Sequence, residues 1–388
     1  MLQNTTYKLS IIIPTKNRQT YCISALEQII SVTDNETQII IQDNSDDSSV
    51  ICNFCNKLNI KRIKYHYNNS KLSFVDNFSE AISLADGEYL CMIGDDDGIL
   101  PNIYNVLEFV IKNNVDCLIP GLNSVYIWPT EKPFIKGAEN GYLRLSYIEK
   151  EFRKINVENE LRKLIKHSFQ EYQIFDVPRL YHGIVHKNIL SSIKKLTGEY
   201  FNGLTPDMYM VVALCFVCKK VYKINQPVTI SGICPQSGSS QSATGRHTGD
   251  LKNAPHFIGH DRYEWDSRIP AIYTVETIWA ETGLQSLKRF DNQSLSSLYN
   301  QIYFLSLLWM KYPEFHDYIR HFSNQNHYSI IYIIFNSKIL YIKRYILKYI
   351  RFIKRKKGDI VKKYNVPNLI IAEHITEEYI KNRYKLFK

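Results

Sequence analysis

The sequence predicts an α/β fold, a mixed, mostly parallel sheet with helices on both faces, followed by a helical C-terminal extension. Three observations predict it. Short apolar runs alternate with amphipathic stretches of helical spacing through the first half of the chain. Those runs are continuously apolar, the pattern of strands covered on both faces. Each run also empties into a polar cluster, which puts Thr15, Asp43 and Asp95 at one sheet edge, where ligands of such sheets bind.

Each element has its own justification. Residues 9–13 of "YKLSIIIPTKNR" form a buried strand, ended by Pro14 and a polar turn. Residues 19–32 place Ile23, Leu26, Ile29 and Ile30 at helical spacing. "TQIIIQDNSDD" is a second strand running into an acidic turn, "SSVICNFCNKLN" a helix, and "RIKYHYN" a third strand. "SFVDNFSEAISLAD" is an amphipathic helix stopped by Gly87, and "EYLCMIG" a fourth strand. "DCLIPGLNSVYIW" predicts one further strand and the charged residues 144–172 a helix; another helix starts just after Pro206 in "GLTPDMYMVVALCFV". The Gly/Ser-rich "TISGICPQSGSSQSATGRHTGD" predicts a flexible loop, and from about Tyr273 the pattern is helical to the end. The expected organisation is a catalytic domain over 1–228, the loop over 229–262, and a helical region over 263–388 with a basic amphipathic segment at 328–363.

Composition narrows the function. The 388 residues are 45% hydrophobic and 13% aromatic, with 28 Tyr, ample for a buried core. The net charge of +10 is concentrated. Lys338, Lys343, Arg344, Lys348, Arg351, Lys354, Arg355, Lys356, Lys357, Lys362 and Lys363 face only Asp359 within residues 338–363, so the rest of the chain is neutral. A surface built for nucleic acid is therefore not expected. The start of the chain lacks the pattern of a secretory signal, and no run of about 20 apolar residues occurs, so retention in the cytoplasm is expected. Eight cysteines in a reducing compartment are expected to be free. The pairs Cys52/Cys55 and Cys215/Cys218 lie in helical apolar runs and read as core thiols rather than a zinc site.

The sharpest feature is "YLCMIGDDDGIL", residues 89–100. Carboxylates in a cluster repel, and they stay ionised together when a cation offsets them. Oxygen ligands of this kind suit Mn²⁺ or Mg²⁺, ions that also hold phosphates. A solvated acidic turn is the alternative, and the strand-end position argues against it.

The blocks "LSIIIPTKNR", "IIIQDNSDD", "FVDNFSEAISLADGEYLCMIGDDD" and "TPDMYM" resemble, in order and spacing, the signature blocks of family 2 glycosyltransferases with the GT-A fold, over about residues 8–215. The resemblance implies an inverting, metal-dependent bacterial enzyme of the polysaccharide type that uses a UDP-sugar, as a hexosyl- or N-acetylhexosaminyltransferase. It implies that Pro14, Thr15, Asn17 and Arg18 touch base and diphosphate, that Asp43 accepts from the uracil N–H, and that Asn77 faces the nucleotide. Asp95 falls to the ribose and Asp96 to both nucleotide and metal, with Asp97 a second metal ligand. Gly94 stands where the family often has Asp, and Pro206 where an acid usually precedes the base; Asp207 matches that base. As an alternative to the base role, Asp207 is a helix-start carboxylate favoured by the dipole.

His247 in "GRHTGD" would complete the metal shell, with Arg246 as a phosphate partner, unless it is a solvated loop residue. His182 and His186 border the acceptor pocket or serve the fold; Trp265, Trp279 and Trp309 stack on sugars or pack between helices. The segment "YSIIYIIFNSKILYIKRYILKYIRFIKRKK", residues 328–357, reads as an interfacial helix on an anionic leaflet rather than a membrane span, against a packed helix with a basic face or an RNA-binding helix. The partners expected are thus a UDP-sugar, a glycan or lipid-linked acceptor in surface polysaccharide synthesis, and the inner face of the cell membrane, with no nucleic acid. A non-catalytic sugar-nucleotide or polysaccharide-binding module on the same fold is the alternative function. A nucleotidyltransferase would want a Gly-rich phosphate loop, which "IIIPTKNRQT" lacks.

Overall fold

A computed structural model describes residues 7–237, 248, 249, 251, 257, 263–290, 294–356 and 360–385. The first part alternates as the hydrophobic pattern requires: β1 (Leu9–Thr15), α1 (Gln19–Val32), β2 (Thr37–Asp43), α2 (Ser49–Leu58), β3 (Ile63–Tyr67), α3 (Phe74–Ser83) and β4 (Tyr89–Met92). These four strands are parallel, in the order β3-β2-β1-β4. β1 is buried throughout: Leu9, Ile11 and Ile13 enter the core beneath α1, and Ile12 enters the opposite core with α3. Ser73 starts α3 by accepting the Asp76 N–H at 3.1 Å.

Beyond the triplet the chain crosses into a second sheet. Its first strand is β5 (Gly98–Ile99), followed by α4 (Ile103–Lys112), β6 (Cys117–Pro120), β7 (Ser124–Ile127), β8 (Tyr142–Ser146), β9 (Phe152–Lys154), α5 (Val157–Lys166), β10 (Ile184–His186), α6 (Lys187–Thr197), α7 (Pro206–Val217), β11 (Val221–Ile224) and β12 (Thr229–Ile233). β10, β6, β11 and β9 extend the main sheet to eight strands, with β10 antiparallel to both β4 and β6. The run "DCLIPGLNSVYIW" is therefore two strands, not one. Its halves separate after Pro120, β6 in the main sheet and β7 in the second. The helix expected over 144–172 is confined to α5; "YLRLS" alternates, with Leu143 and Leu145 buried and Arg144 exposed, and pairs as a strand with β7.

The last third begins with β13 (Thr248–Gly249) against β14 (Tyr273–Thr274), then α8 (Val275–Phe290), α9 (Gln301–Lys311), α10 (His316–Gln325) and α11 (Ile330–Lys356). α5, α7 and α8–α11 share a core around Met208, Leu284 and Phe304. The helical pattern does not run to the end: β15 (Ile360–Tyr364) pairs antiparallel with β8, and α12 (Leu369–Lys385) packs on α1 and β7. The second sheet thus reads β15-β8-β7-β12-β5, joining the final residues to the strand that follows the aspartates.

All eight cysteines are free, and Cys52/Cys55 and Cys215/Cys218 lie on α2 and at the end of α7. Among the described residues no group of three or more His, Cys, Asp or Glu could hold a metal by itself, and no helix is long and apolar enough to cross a membrane.

Candidate active site

The aspartate triplet occupies the turn between the two sheets, and backbone donors fix it. Asp97 Oδ2 accepts the Gly94 N–H at 2.6 Å and the Tyr181 hydroxyl at 3.0 Å; its Oδ1 accepts the Gly232 N–H of β12 at 2.6 Å. Asp96 Oδ2 accepts the Cys234 N–H at 2.9 Å, and its carbonyl accepts Trp128 Nε1 at 2.9 Å. Asp95 is fully buried and takes Thr15 Oγ1 at 2.6 Å. Arg18, at the start of α1, caps the group. Its Nε donates to Asp95 Oδ2 at 3.1 Å, its Nη2 lies 2.5 Å from Asp95 Oδ1, and its Nη1 is 3.7 Å from Asp96 Oδ1. Burial raises the Asp95 pKa, and the guanidinium opposes that. Burial, then the charge of Asp96, holds Asp97 well above the usual carboxylate range.

Gly94 now has a reason. A Cβ there would lie 2.6 Å from the Tyr181 hydroxyl and 3.0 Å from Asp96 Oδ1. Tyr181 fills the place a side chain would need. Gly232 is equally constrained, since its Cβ would fall 1.7 Å from the Asp96 carbonyl oxygen.

A cleft of about 470 Å³ opens in front of the triplet. Of the residues expected at the site, it brings together Arg18, Asp96, Asp97 and Asp207. Asp207 is in the first turn of α7, placed there by Pro206 at the first helical position. Burial pushes its carboxyl up to about 6, and the Tyr172 hydroxyl at 3.5 Å partly counters this. His182 also lines the cleft. Its Nδ1 is 2.8 Å from Thr229 Oγ1, and burial, with Arg179 second, lowers its pKa to about 3, so it is neutral at pH 7.

The remaining expected residues stand behind this surface. Asp43 is fully buried, with the Ser45 N–H on one oxygen and the Tyr65 hydroxyl on the other. Asn77 reaches from α3 to the Thr15 carbonyl at 3.4 Å and leaves its buried Oδ1 without a partner. Pro14 and Thr15 close β1, and Asn17, at φ 56°, exchanges hydrogen bonds with Asp46 rather than facing the cleft. His186 caps α6, Trp265 donates to the Ile269 carbonyl and Trp309 stacks on His316; Trp279 lines the cleft. His247 and Arg246 lie outside the described residues.

Sequence reasoning missed Tyr172, Arg179 and Tyr181. They come from the irregular stretch before β10, where neither periodicity nor a motif marks a functional side chain.

As to a divalent ion, Asp97 has both oxygens on protein donors, whereas Asp96 lines the cleft with only Oδ2 on a backbone N–H and its Oδ1 3.7 Å from Arg18 Nη1. That donor set suits an ion that takes a carboxylate from the protein and most of its remaining ligands from phosphate and water, not an all-protein cage.

On this mixed sheet a strand-end acidic turn and a helix-start carboxylate line one cleft. Residues 10–175 match the family described as glycosyl transferase family 2. A 99-residue stretch is 34% identical to Escherichia coli (strain K12) WcaA, assigned by name to colanic acid biosynthesis as a glycosyl transferase; it covers 25% of this chain and 36% of that relative. Staphylococcus aureus TarS 1–349 in complex with UDP-GlcNAc is similar in shape at a TM-score of 0.47 and 12% identity, over 83% of this chain and 93% of that one. The same protein with UDP gives 0.42 at 13%, over 79% and 81%.

Proposed function

We propose that this protein moves a sugar from a UDP-sugar to a hydroxyl of a glycan or lipid-linked acceptor, with inversion, in surface polysaccharide synthesis. The observation that carries this reading is the one cleft lined by Arg18, by Asp96 and Asp97 beyond the end of β4, and by Asp207.

On this reading the nucleotide lies over the ends of β1 and β2, near Asp43 and Asn77, and its diphosphate reaches Arg18 and Asp96. Departure of the diphosphate concentrates negative charge on its oxygens. Arg18 stands where that charge develops and would exchange its hold on Asp95 for the phosphate. Mn²⁺ or Mg²⁺, held by Asp96 Oδ1, would supply further stabilisation of the same charge. Asp97 would orient Asp96 through the shared turn rather than bind the ion. Asp207, with its pKa near 6, is ionised at neutral pH yet basic enough to take the proton of an attacking hydroxyl. Attack from the side opposite the leaving group inverts the anomeric centre. The walls of the cleft, with Tyr172, Tyr181 and Trp279, would limit access of water.

We also propose that α11 lies on an anionic membrane surface. Supporting this, its 27 residues contain Lys and Arg but no Asp or Glu. Tyr341, Ile342, Tyr345, Ile346, Leu347 and Tyr349 are 51–67% exposed, an unusual state for apolar side chains in water.

Purified protein incubated with UDP-sugars should release UDP when Mn²⁺ or Mg²⁺ is present. Turnover unchanged in EDTA, or persisting in Asp96→Asn, would remove the metal role. Turnover that survives Asp207→Asn would remove the base.

A further inference from the structure

Arg179 precedes β10 and is 5% exposed. Its Nη2 donates to the Pro120 carbonyl at 2.6 Å, and its buried Nε has no hydrogen-bond partner. Among the described residues no carboxylate comes within ion-pair distance of it. Apart from Asp207, which shares its recess, acids in this part of the fold are already engaged. Asp176 is held by Lys223 and Arg153, and Glu171 by Arg344. Asp97 is held by backbone N–H groups and Tyr181. A guanidinium keeps its proton even when burial lowers its pKa, as it does here. The protein therefore maintains a buried guanidinium that shares its recess with Asp207 but makes no ion pair and leaves its Nε unpartnered, a costly arrangement unless an anion arrives.

Its location says which anion. Arg179 lines the main cleft and also, with Asp207, Tyr172 and Tyr181, a narrow recess of about 10 Å³. Arg18 and Asp96 line the cleft but not that recess, so the guanidinium belongs to the end of the site that holds the base. Beside Asp207, the buried Thr205 hydroxyl also lines the cleft and lacks a hydrogen-bond partner. Two unsatisfied polar groups thus flank the proposed base. The recess holds no more than about one water, so a ligand group would sit at its mouth, in the wider cleft.

We propose that Arg179 receives an oxyanion of the acceptor, a phosphate ester or a sugar carboxylate close to the attacking hydroxyl, with the Thr205 hydroxyl as a second donor. This rests on the reading of Asp207 as the base. It makes the acceptor an anionic polymer or lipid-linked saccharide rather than a neutral glycan. A charged, nearly planar fork gives direction as well as affinity, and it would fix which hydroxyl meets Asp207.

The test is calorimetry on the full chain with Mn²⁺, first with UDP alone. Glycerol phosphate or glucuronate is then added at saturating UDP, with glycerol and glucose as neutral controls. The wild type should bind an anionic probe at least about tenfold more tightly than its neutral control. Arg179→Gln should lose about tenfold or more of that affinity while its UDP affinity stays within about twofold; Arg179→Lys should recover part of the anion binding. The proposal is overturned if neither anionic probe outcompetes its neutral control, or if Arg179→Gln binds the anions as well as the wild type does. It is also overturned if saturating UDP abolishes anion binding in the wild type, because Arg179 would then serve the donor diphosphate. Should Arg179→Gln fail to fold, the wild-type comparison and the lysine variant decide. Failure of UDP itself to bind is read in the first titration and would count against the donor reading instead.

Discussion

Gly94 and Asp207 show how single residues set the terms of the site. Alanine at 94 would press on the Tyr181 hydroxyl and on Asp96, so Gly94→Ala should cost about 1–3 kcal/mol in chemical denaturation. Tyr181→Phe in the same chain should relieve part of that, since it removes the nearest of the crowded atoms. Asp207 makes a prediction about pH. Its pKa is about 6 folded against an ordinary 3.8, so the folded protein binds the extra proton between those values. Stability from this group is therefore full below the lower value and is lost as pH rises through the upper one. Asp207→Asn should lower transfer by about a hundredfold or more. It should also stabilise the fold at pH 7 by about 1–3 kcal/mol, an advantage that vanishes below about pH 4. The wild-type rate should rise with pH through about 6. A pH-independent rate, or a variant no more stable than the wild type at pH 7, would contradict these expectations. The helix start that carries Asp207 was legible in the sequence because Pro206 announces it, whereas its role as base came only from the family resemblance. Arg179 was not, because its unpaired state depends on where Asp176, Glu171 and Asp97 find their partners.

Elements were legible where one physical signal dominated. β1, β2 and β4 are apolar on both faces because helices cover both, and α3 carries its own cap. β8 and β15 were read as helical because charged residues interrupt them, although β8 has a clean two-residue alternation. The break between β6 and β7 went unseen because both halves are apolar; only pairing partners distinguish them. α11 is different again. Its first half packs against α9 and buries Ile333 and Ser337, whereas Tyr345, Ile346, Leu347 and Tyr349 of its second half are exposed. Replacing the exposed Lys338, Lys343 and Lys348 by Gln should weaken binding to vesicles of anionic lipid by about a hundredfold, at roughly 1 kcal/mol per charge. Circular dichroism and melting temperature should change little. Equal binding to neutral and anionic vesicles would contradict the membrane role proposed for this helix.

At the scale of the whole molecule, the C-terminal residues belong with the catalytic sheet. Val366, Leu369, Ala372 and Thr376 are buried, the Tyr126 hydroxyl donates to the Val366 carbonyl at 3.0 Å, and β15 forms the edge of the sheet that includes β12. Ending the chain after residue 359 should therefore destabilise the site itself, by more than about 5 kcal/mol, counting burial at roughly 1.5–3 kcal/mol for each large side chain. Loss of UDP affinity together with a lower melting temperature would confirm it; an unchanged melting temperature would show the C-terminal residues to be dispensable. On the proposed reading, the second sheet also bears on how the protein would meet its donor. Main-chain amides of residues 94, 232 and 234 grip Asp96 and Asp97, so the spacing of these carboxylates is set by peptide planes and not by side-chain rotamers. A cradle cut in the backbone keeps its shape while empty. A pyrophosphate group arriving as proposed would have Arg18 to displace and little ordering entropy to overcome.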